Sequence, residues 1–220
     1  MNKKIDIIPA VIPASIDEVK QHIDKVASLV EWVQIDIMDG MFVESLTWPY
    51  SKGDVAEINE LTGKTPKIEC HFMVQEPEAV LDKWISSGIS RAIIHIESTN
   101  KLNDILAKFM YAGVKAGIAI DLETPISVLE PYAEQVHLVQ LMSISRLGHH
   151  GEHFDEKVLP KIRTLCERYP HLTIQVDGGI NYETAKKVLE AGATNLVVGA
   201  YILNSDNIKQ TINGLSALGE

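Results

Sequence analysis

The sequence predicts a (β/α)₈ barrel, on three observations. Short runs rich in Ile and Val alternate with longer amphipathic segments from one end of the chain to the other. There are eight such runs: 5–12, 32–38, 67–73, 92–96, 116–120, 136–144, 172–176 and 195–202. They are almost continuously apolar rather than alternating, the pattern of parallel strands covered on both faces. Eight units in 220 residues take about 27 residues each, a length that suits a βα repeat. No Gly/Ser-rich linker or charge block divides the chain, so residues 1–220 are expected to form one barrel domain. The competing architecture, a doubly wound open sheet, usually carries G-x-G-x-x-G after its first strand. That position reads Ala10-Val11-Ile12-Pro13.

The segments between the runs justify the helices in turn. Ile16, Val19, Ile23 and Val26 form a helical stripe behind a capping box of Ser15 and Glu18. Ala79, Val80 and Trp84 form another after Pro77 at a first turn. Gly88, Gly113 and Gly192 stand just before the next strand, where left-handed C-terminal caps are expected.

Composition narrows the function classes. A chain that is 45% hydrophobic and 23% charged is not a disordered tail. A formal net charge of −10 opposes a nucleic-acid surface, which needs a basic footprint, but permits a local cationic pocket for a phosphorylated small molecule. The two cysteines, Cys70 and Cys166, lack C-x-x-C or zinc-ribbon spacing and are expected as reduced thiols of a cytoplasmic protein. Met1-Asn2-Lys3-Lys4 imitates the start of a signal peptide, but Asp6, Pro9 and Pro13 interrupt the apolar core that would follow. No apolar run approaches the ~20 residues of a membrane helix.

A barrel's chemistry sits at the carboxyl ends of its strands. Read in order, those ends offer Gln34, Asp36 and Asp39, then Glu69 and His71, then His95 and Glu97. Asp121, Ser143, Asp177-Gly178-Gly179 and Gly199-Ala200 complete the set. Gln34 and Asp36 point to one side of their strand and Ile35 and Ile37 to the other. Asp36, His71 and Asp177 supply oxygen and nitrogen ligands of the kind that suit Zn²⁺, Fe²⁺ or Mn²⁺. Two carboxylates across a pocket can also move protons at opposite faces of one carbon. A lone strand-end aspartate is more often a cap or a structural acceptor; three converging groups are harder to dismiss. Gly178, Gly179 and Gly199 expose backbone N–H groups where barrels commonly bind phosphate, with Asn204-Ser205-Asp206 as the expected cap of a short helix there. The plainer reading of Gly178-Gly179 is a turn.

Residues 33–43 (VQIDIMDGMFV), Cys70-His71-Phe72-Met73-Val74, His95-Ile96-Glu97, Thr124-Pro125, Leu141-Met142-Ser143 and Val176-Asp177-Gly178-Gly179-Ile180 resemble, in order, motifs of the ribulose-phosphate 3-epimerase family. The resemblance spans essentially the whole chain. It implies a (β/α)₈ barrel, a divalent metal, and epimerisation at C3 of a ketopentose 5-phosphate (ribulose 5-phosphate to xylulose 5-phosphate) in the pentose phosphate pathway. It makes Asp36 and Asp177 the acid/base pair, with both aspartates and His71 as metal ligands. It also gives Ser143, Gly148, Gly151, Gly178, Gly179, Gly199 and Ala200 to substrate and phosphate, and Met38, Met73 and Met142 to the pocket wall. A homo-oligomer is expected, with no nucleic-acid or membrane partner.

The departures from the family pattern are specific. Gln34 stands where the family has a histidine ligand, and an amide oxygen is the weaker ligand. Ala10 replaces a serine, and Ala200 replaces a hydroxyl residue after the eighth-strand glycine. The sixth loop reads Ser145-Arg146-Leu147-Gly148-His149-His150-Gly151-Glu152 in place of N-P-G-F-G-G-Q, one residue longer. Arg146 with His149, His150 and His153 would be compensating contacts to an anion or a metal, or a solvated loop. His22, His137 and His171 fall away from the expected mouth. A different phosphorylated sugar, or a non-catalytic sugar-phosphate-binding barrel, are the alternatives to an active epimerase.

Overall fold

Strands that are apolar on both faces need cover on both. The computed structural model, which describes residues 5–149 and 151–219, supplies it by closing the sheet. The parallel strands β1 (Asp6–Val11), β2 (Trp32–Met38), β3 (Lys67–Met73), β4 (Arg91–His95), β5 (Lys115–Ile120), β6 (Leu138–Met142), β7 (Thr173–Asp177) and β8 (Asn195–Val198) pair in sequence order. β8 returns to pair with β1, through Asp6 opposite Asn195 and Pro9 opposite Val198. Helices α1 (Ile16–Val26), α2 (Leu81–Ser86), α3 (Leu102–Ala112), α4 (Val158–Arg168), α5 (Tyr182–Ala191), α6 (Ala200–Leu203) and α7 (Ile208–Ser216) cover the outside. The crossovers from β2 to β3 and from β5 to β6 carry only 3₁₀ turns, Val55–Glu60 and Ile126–Leu129, where full helices were expected.

The main core lies between barrel and helices. Ile35 and Ile37 belong to it, with Phe72, Trp48 and Trp84. Trp84 meets Trp48 and Phe72 edge-to-face at centroid distances of 5.6 and 5.3 Å, the geometry that the ring quadrupole favours. Inside the barrel, among the described residues, the apolar clusters are small: Ile8, Ala10, Trp32 and Val197, and Ile93, Ala119 and Leu138. Buried polar side chains, Gln34, Glu69, His71, Gln140 and Gln175 among them, share the interior with these.

Several local details depart from the sequence pattern. Ser15 caps α1 by accepting from the Glu18 N–H, but Glu18 accepts from the Ala14 N–H rather than closing a box on Ser15. The last apolar run divides at Gly199 (φ −90°, ψ −98°), which ends β8 and starts α6, so Ile202 is helical. Asn204 therefore ends α6 rather than capping it, and the cap of α7 is Asn207, whose side chain accepts from the Gln210 N–H at 3.0 Å. Gly113 and Gly192 take the expected left-handed conformation (φ 72° and 112°) at the ends of α3 and α5. Gly88 (φ 80°) does so one residue past the Ser87 cap of α2. No helix among the described residues is long and apolar enough to cross a membrane. Met1–Lys4, the imitation of a signal-peptide start, lie outside the described residues.

Candidate active site

Strand register brings the site together. Asp36 lies opposite His71 on β3, and Asp177, the last residue of β7, lies opposite Met142. Alternation then turns Gln34 and Asp36 inward, as expected, and sends Ile35 and Ile37 to the outer core. The result is a cluster in which Asp36, His71 and Asp177 offer ligand atoms within 4.8 Å of one another.

Gln34 sits between the two carboxyls. Its Nε2 donates to Asp36 Oδ1 and to Asp177 Oδ2, at 2.8 Å each. Gln140 Nε2 donates to the same Asp177 oxygen at 3.0 Å. His71 Nδ1 lies 3.3 Å from Asp36 Oδ1 and 3.5 Å from Asp177 Oδ2. Burial and the negative charge of Asp36 hold the Asp177 carboxyl well above the usual carboxylate range, against the lowering effect of the Gln34 hydrogen bond.

Behind His71 stands a second buried imidazole. His71 Nε2 and His95 Nε2 are 2.9 Å apart, and His95 Nδ1 faces Glu97 Oε2 at 3.2 Å and Asp121 Oδ1 at 3.1 Å. Burial alone would lower His95, but the hydrogen bonds and charges of Asp121 and Glu97 override it and raise its pKa to about 9. Glu97 is correspondingly pulled down to about 2 by His95, against its own burial. His71 is lowered by burial and by the charged His95, with Asp36 opposing. One hydrogen is shared between the two Nε2 atoms, and His71 Nδ1 is the ring nitrogen that faces the carboxyls. Glu97 also accepts from the Asp121 N–H at 2.8 Å, so it braces a loop as well.

Above this cluster opens a cavity of 1140 Å³ whose wall includes Asp36, His71 and Asp177. Of the residues expected at substrate or pocket, Met73, Met142, Gly148, Gly151, Gly178, Gly179, Gly199 and Ala200 also line it. Ser143 and Met38 are placed differently. Ser143 Oγ donates to the carbonyls of Asp177 and Gly178 at 3.0 and 2.6 Å, tying β6 to the end of β7. Met38 is fully buried, with its Sδ beneath Gly148. Gly179 (φ 64°) has a spatial reason to be glycine, since a Cβ there would lie 2.6 Å from the Phe154 backbone nitrogen.

The sixth loop contributes His149 and His153 to the wall, and Ser45 Oγ contacts His149 Nδ1 at 3.3 Å. Arg146 is exposed and faces Glu44 at 3.8 Å, so the cationic group at the cavity is instead Lys187 of α5, which is paired with Glu156. His150 lies outside the described residues. Asp39 organises the loop after β2 by accepting from the Met41, Phe42 and Gln75 N–H groups. The sequence reading missed Gln140 and Lys187. Gln140 stood two residues before Met142 and was legible by strand alternation; Lys187 carried no signal.

The donor set fits a cation only in part. Two carboxylate oxygens and an imidazole nitrogen could hold a divalent metal, but the fourth side chain, Gln34, presents hydrogens rather than a lone pair.

A closed (β/α)₈ barrel with two carboxyls and an imidazole converging over a glycine-walled cavity defines an enzyme centre for proton transfer. The sequence profile of the "Ribulose-phosphate 3 epimerase family" matches residues 6–203, and the chain belongs to that family. A ribulose-phosphate 3-epimerase of Schizosaccharomyces pombe is 32% identical over 84% of this chain and 80% of its own length. One of Synechocystis sp. is 32% identical over 98% of this chain and 94% of its own. Among solved structures, 3-hexulose-6-phosphate synthase from Salmonella typhimurium superposes with a TM-score of 0.74 at 14% identity, covering 97% of this chain and 98% of that one. That likeness shows the shared barrel.

Proposed function

We propose that the chain interconverts ribulose 5-phosphate and xylulose 5-phosphate by epimerising C3 through two-carboxyl acid/base chemistry. The observation that carries this reading is the placement of the carboxyl pair. Asp36 and Asp177 share one bridging donor, Gln34, and both face the cavity. Epimerisation needs such a pair, with a base on one face of the carbon and an acid on the other.

In one direction Asp36 takes the C3 proton, leaving an enediolate, and Asp177 gives its proton to the opposite face; in the reverse direction the roles exchange. Gln34 and Gln140 both donate to Asp177 Oδ2, which assigns the transferable proton to Oδ1. His71 Nδ1 lies 3.3 and 3.5 Å from the two carboxyls and helps to hold both in place. Asp36, His71 and Asp177 are the residues that would hold Zn²⁺, Fe²⁺ or Mn²⁺, and such an ion would supply electrostatic stabilisation of the enediolate oxygens.

The phosphate is assigned to the wall of Gly178, Gly179, Gly199 and Ala200, which lies on the same cavity as the carboxyls. Backbone N–H groups suit this role in a chain of net charge −10. Lys187 supplies positive charge nearby.

The test is conversion of ribulose 5-phosphate to xylulose 5-phosphate in D₂O, with deuterium read at C3 of both. Product formation with C3 labelling is expected. Absence of exchange at C3, with or without added divalent metal, would refute the reading.

A further inference from the structure

The floor beneath the site is a chain of buried polar side chains with a fixed direction. Trp32 stacks on the Arg91 guanidinium at 3.8 Å, and Arg91 pairs with Glu69 at 3.1 Å. Glu69 Oε1 accepts from Gln175 Nε2 at 2.9 Å. The same nitrogen faces Gln140 Oε1 at 2.7 Å and Gln34 Oε1 at 3.4 Å. Gln34, Glu69, Gln140 and Gln175 have no exposure at all.

Each amide has one accepting and one donating end, so orienting one orients the next. Glu69, paired with Arg91, accepts; Gln175 therefore turns its NH₂ toward Glu69. That nitrogen meets the carbonyl ends of Gln34 and Gln140, whose own NH₂ groups must then face upward. Upward are the carboxyls: Asp36 and Asp177 for Gln34, and Asp177 for Gln140.

We propose that Gln34 is a hydrogen-bond donor bridging the two carboxyls, that the Arg91–Glu69–Gln175 chain fixes its polarity, and that this centre is therefore closed by an amide NH₂ and takes a divalent cation only weakly. A cation centred among Asp36, His71 and Asp177 would face two amide hydrogens. To offer Oε1 instead, Gln34 must turn over, which sets its NH₂ against the NH₂ of Gln175. Turning Gln34 also gives up the two 2.8 Å bonds from its Nε2 to Asp36 and Asp177, and Gln175, whose two hydrogens serve Glu69 and Gln140 at 2.9 and 2.7 Å, does not turn to meet it. The roles of Asp36 and Asp177 as acid and base are taken from the proposed function; the polarity of Gln34 is independent of them.

The test is calorimetric titration of Zn²⁺ alone, at fixed pH, into the chelator-dialysed wild-type protein, Gln34→His and Gln34→Leu, each first checked for fold by circular dichroism. Gln34→His restores a lone pair at the fourth position and should bind more tightly than wild type by over about 100-fold, beyond the 10–100-fold typical of an outer-shell partner. Gln34→Leu removes the hydrogens without adding a ligand and should bind no more weakly than wild type. Wild type binding as tightly as Gln34→His, or Gln34→Leu binding tenfold more weakly than wild type, would overturn the proposal. Because the titration reads no turnover, a failure to epimerise ribulose 5-phosphate would sink the functional reading and leave this result standing.

Discussion

Asp177→Asn separates the two halves of the proposed reaction. Asp177 Oδ2 accepts from Gln34 at 2.8 Å and Gln140 at 3.0 Å. An asparagine can keep both bonds by placing its carbonyl oxygen there, which leaves its NH₂ where the transferable proton was. The change is therefore close to isosteric, and folding stability should stay within about 1 kcal/mol, the scale of one ordinary hydrogen bond. The acid, however, is gone. General acid catalysis contributes roughly 10²–10⁴-fold, so epimerisation should fall by about 10³-fold, equivalent to about 4 kcal/mol of barrier. Asp36 remains able to remove a proton from its own face. In D₂O the variant should exchange the C3 hydrogen of whichever epimer points it at Asp36, without forming the other epimer. Asp36→Asn should show the opposite preference. The assay is mass-spectrometric deuterium content at C3 of recovered ribulose and xylulose 5-phosphates. Equal loss of exchange from both epimers in Asp177→Asn, or epimerisation within tenfold of wild type, would refute the two-carboxyl assignment.

Two further perturbations test the surroundings of the pair. His95 is raised from 6.5 to about 9 in the fold, so its contribution is present in full below pH 6.5 and is lost as pH rises through 9, by at most about 3 kcal/mol. Denaturant unfolding at pH 6 and pH 9 should show wild type losing more stability than His95→Gln; parallel losses would contradict it. Gly179→Ala puts a Cβ 2.6 Å from the Phe154 nitrogen at φ 64°, which should cost about 1–3 kcal/mol of stability and raise KM for the sugar phosphate more than it lowers kcat; an unchanged KM would remove this loop from the phosphate wall.

Much of this protein could be read from its residues because barrel geometry is periodic. Runs of Ile and Val covered on both faces gave the strands, and strands β2 and β3 matched residue for residue. Alternation placed Gln34 and Asp36 inward. The glycines after the seventh and eighth strands reached the cavity wall as expected. Where the reading slipped, a non-local or purely backbone cause is visible. Apolarity continued through Gly199, but the backbone turned there and Ile202 became part of a helix. The hydroxyl of Ser143, expected at the substrate, lies within hydrogen-bond reach of two carbonyls at the neighbouring strand end, contacts its own segment does not show.

The sequence by itself determined the barrel, its eight strands and the inward Asp36, His71 and Asp177, because side-chain period and burial are local properties of a strand. Only the tertiary structure decided what Gln34 is. An amide is donor at one end and acceptor at the other; Asp36 of the same strand takes its NH₂ at 2.8 Å. The orientation is completed from other strands, by Asp177 above and by Gln175, itself held by Glu69, beneath. Polarity in a buried hydrogen-bond network belongs to the network, because each group can donate only to what its neighbour leaves open.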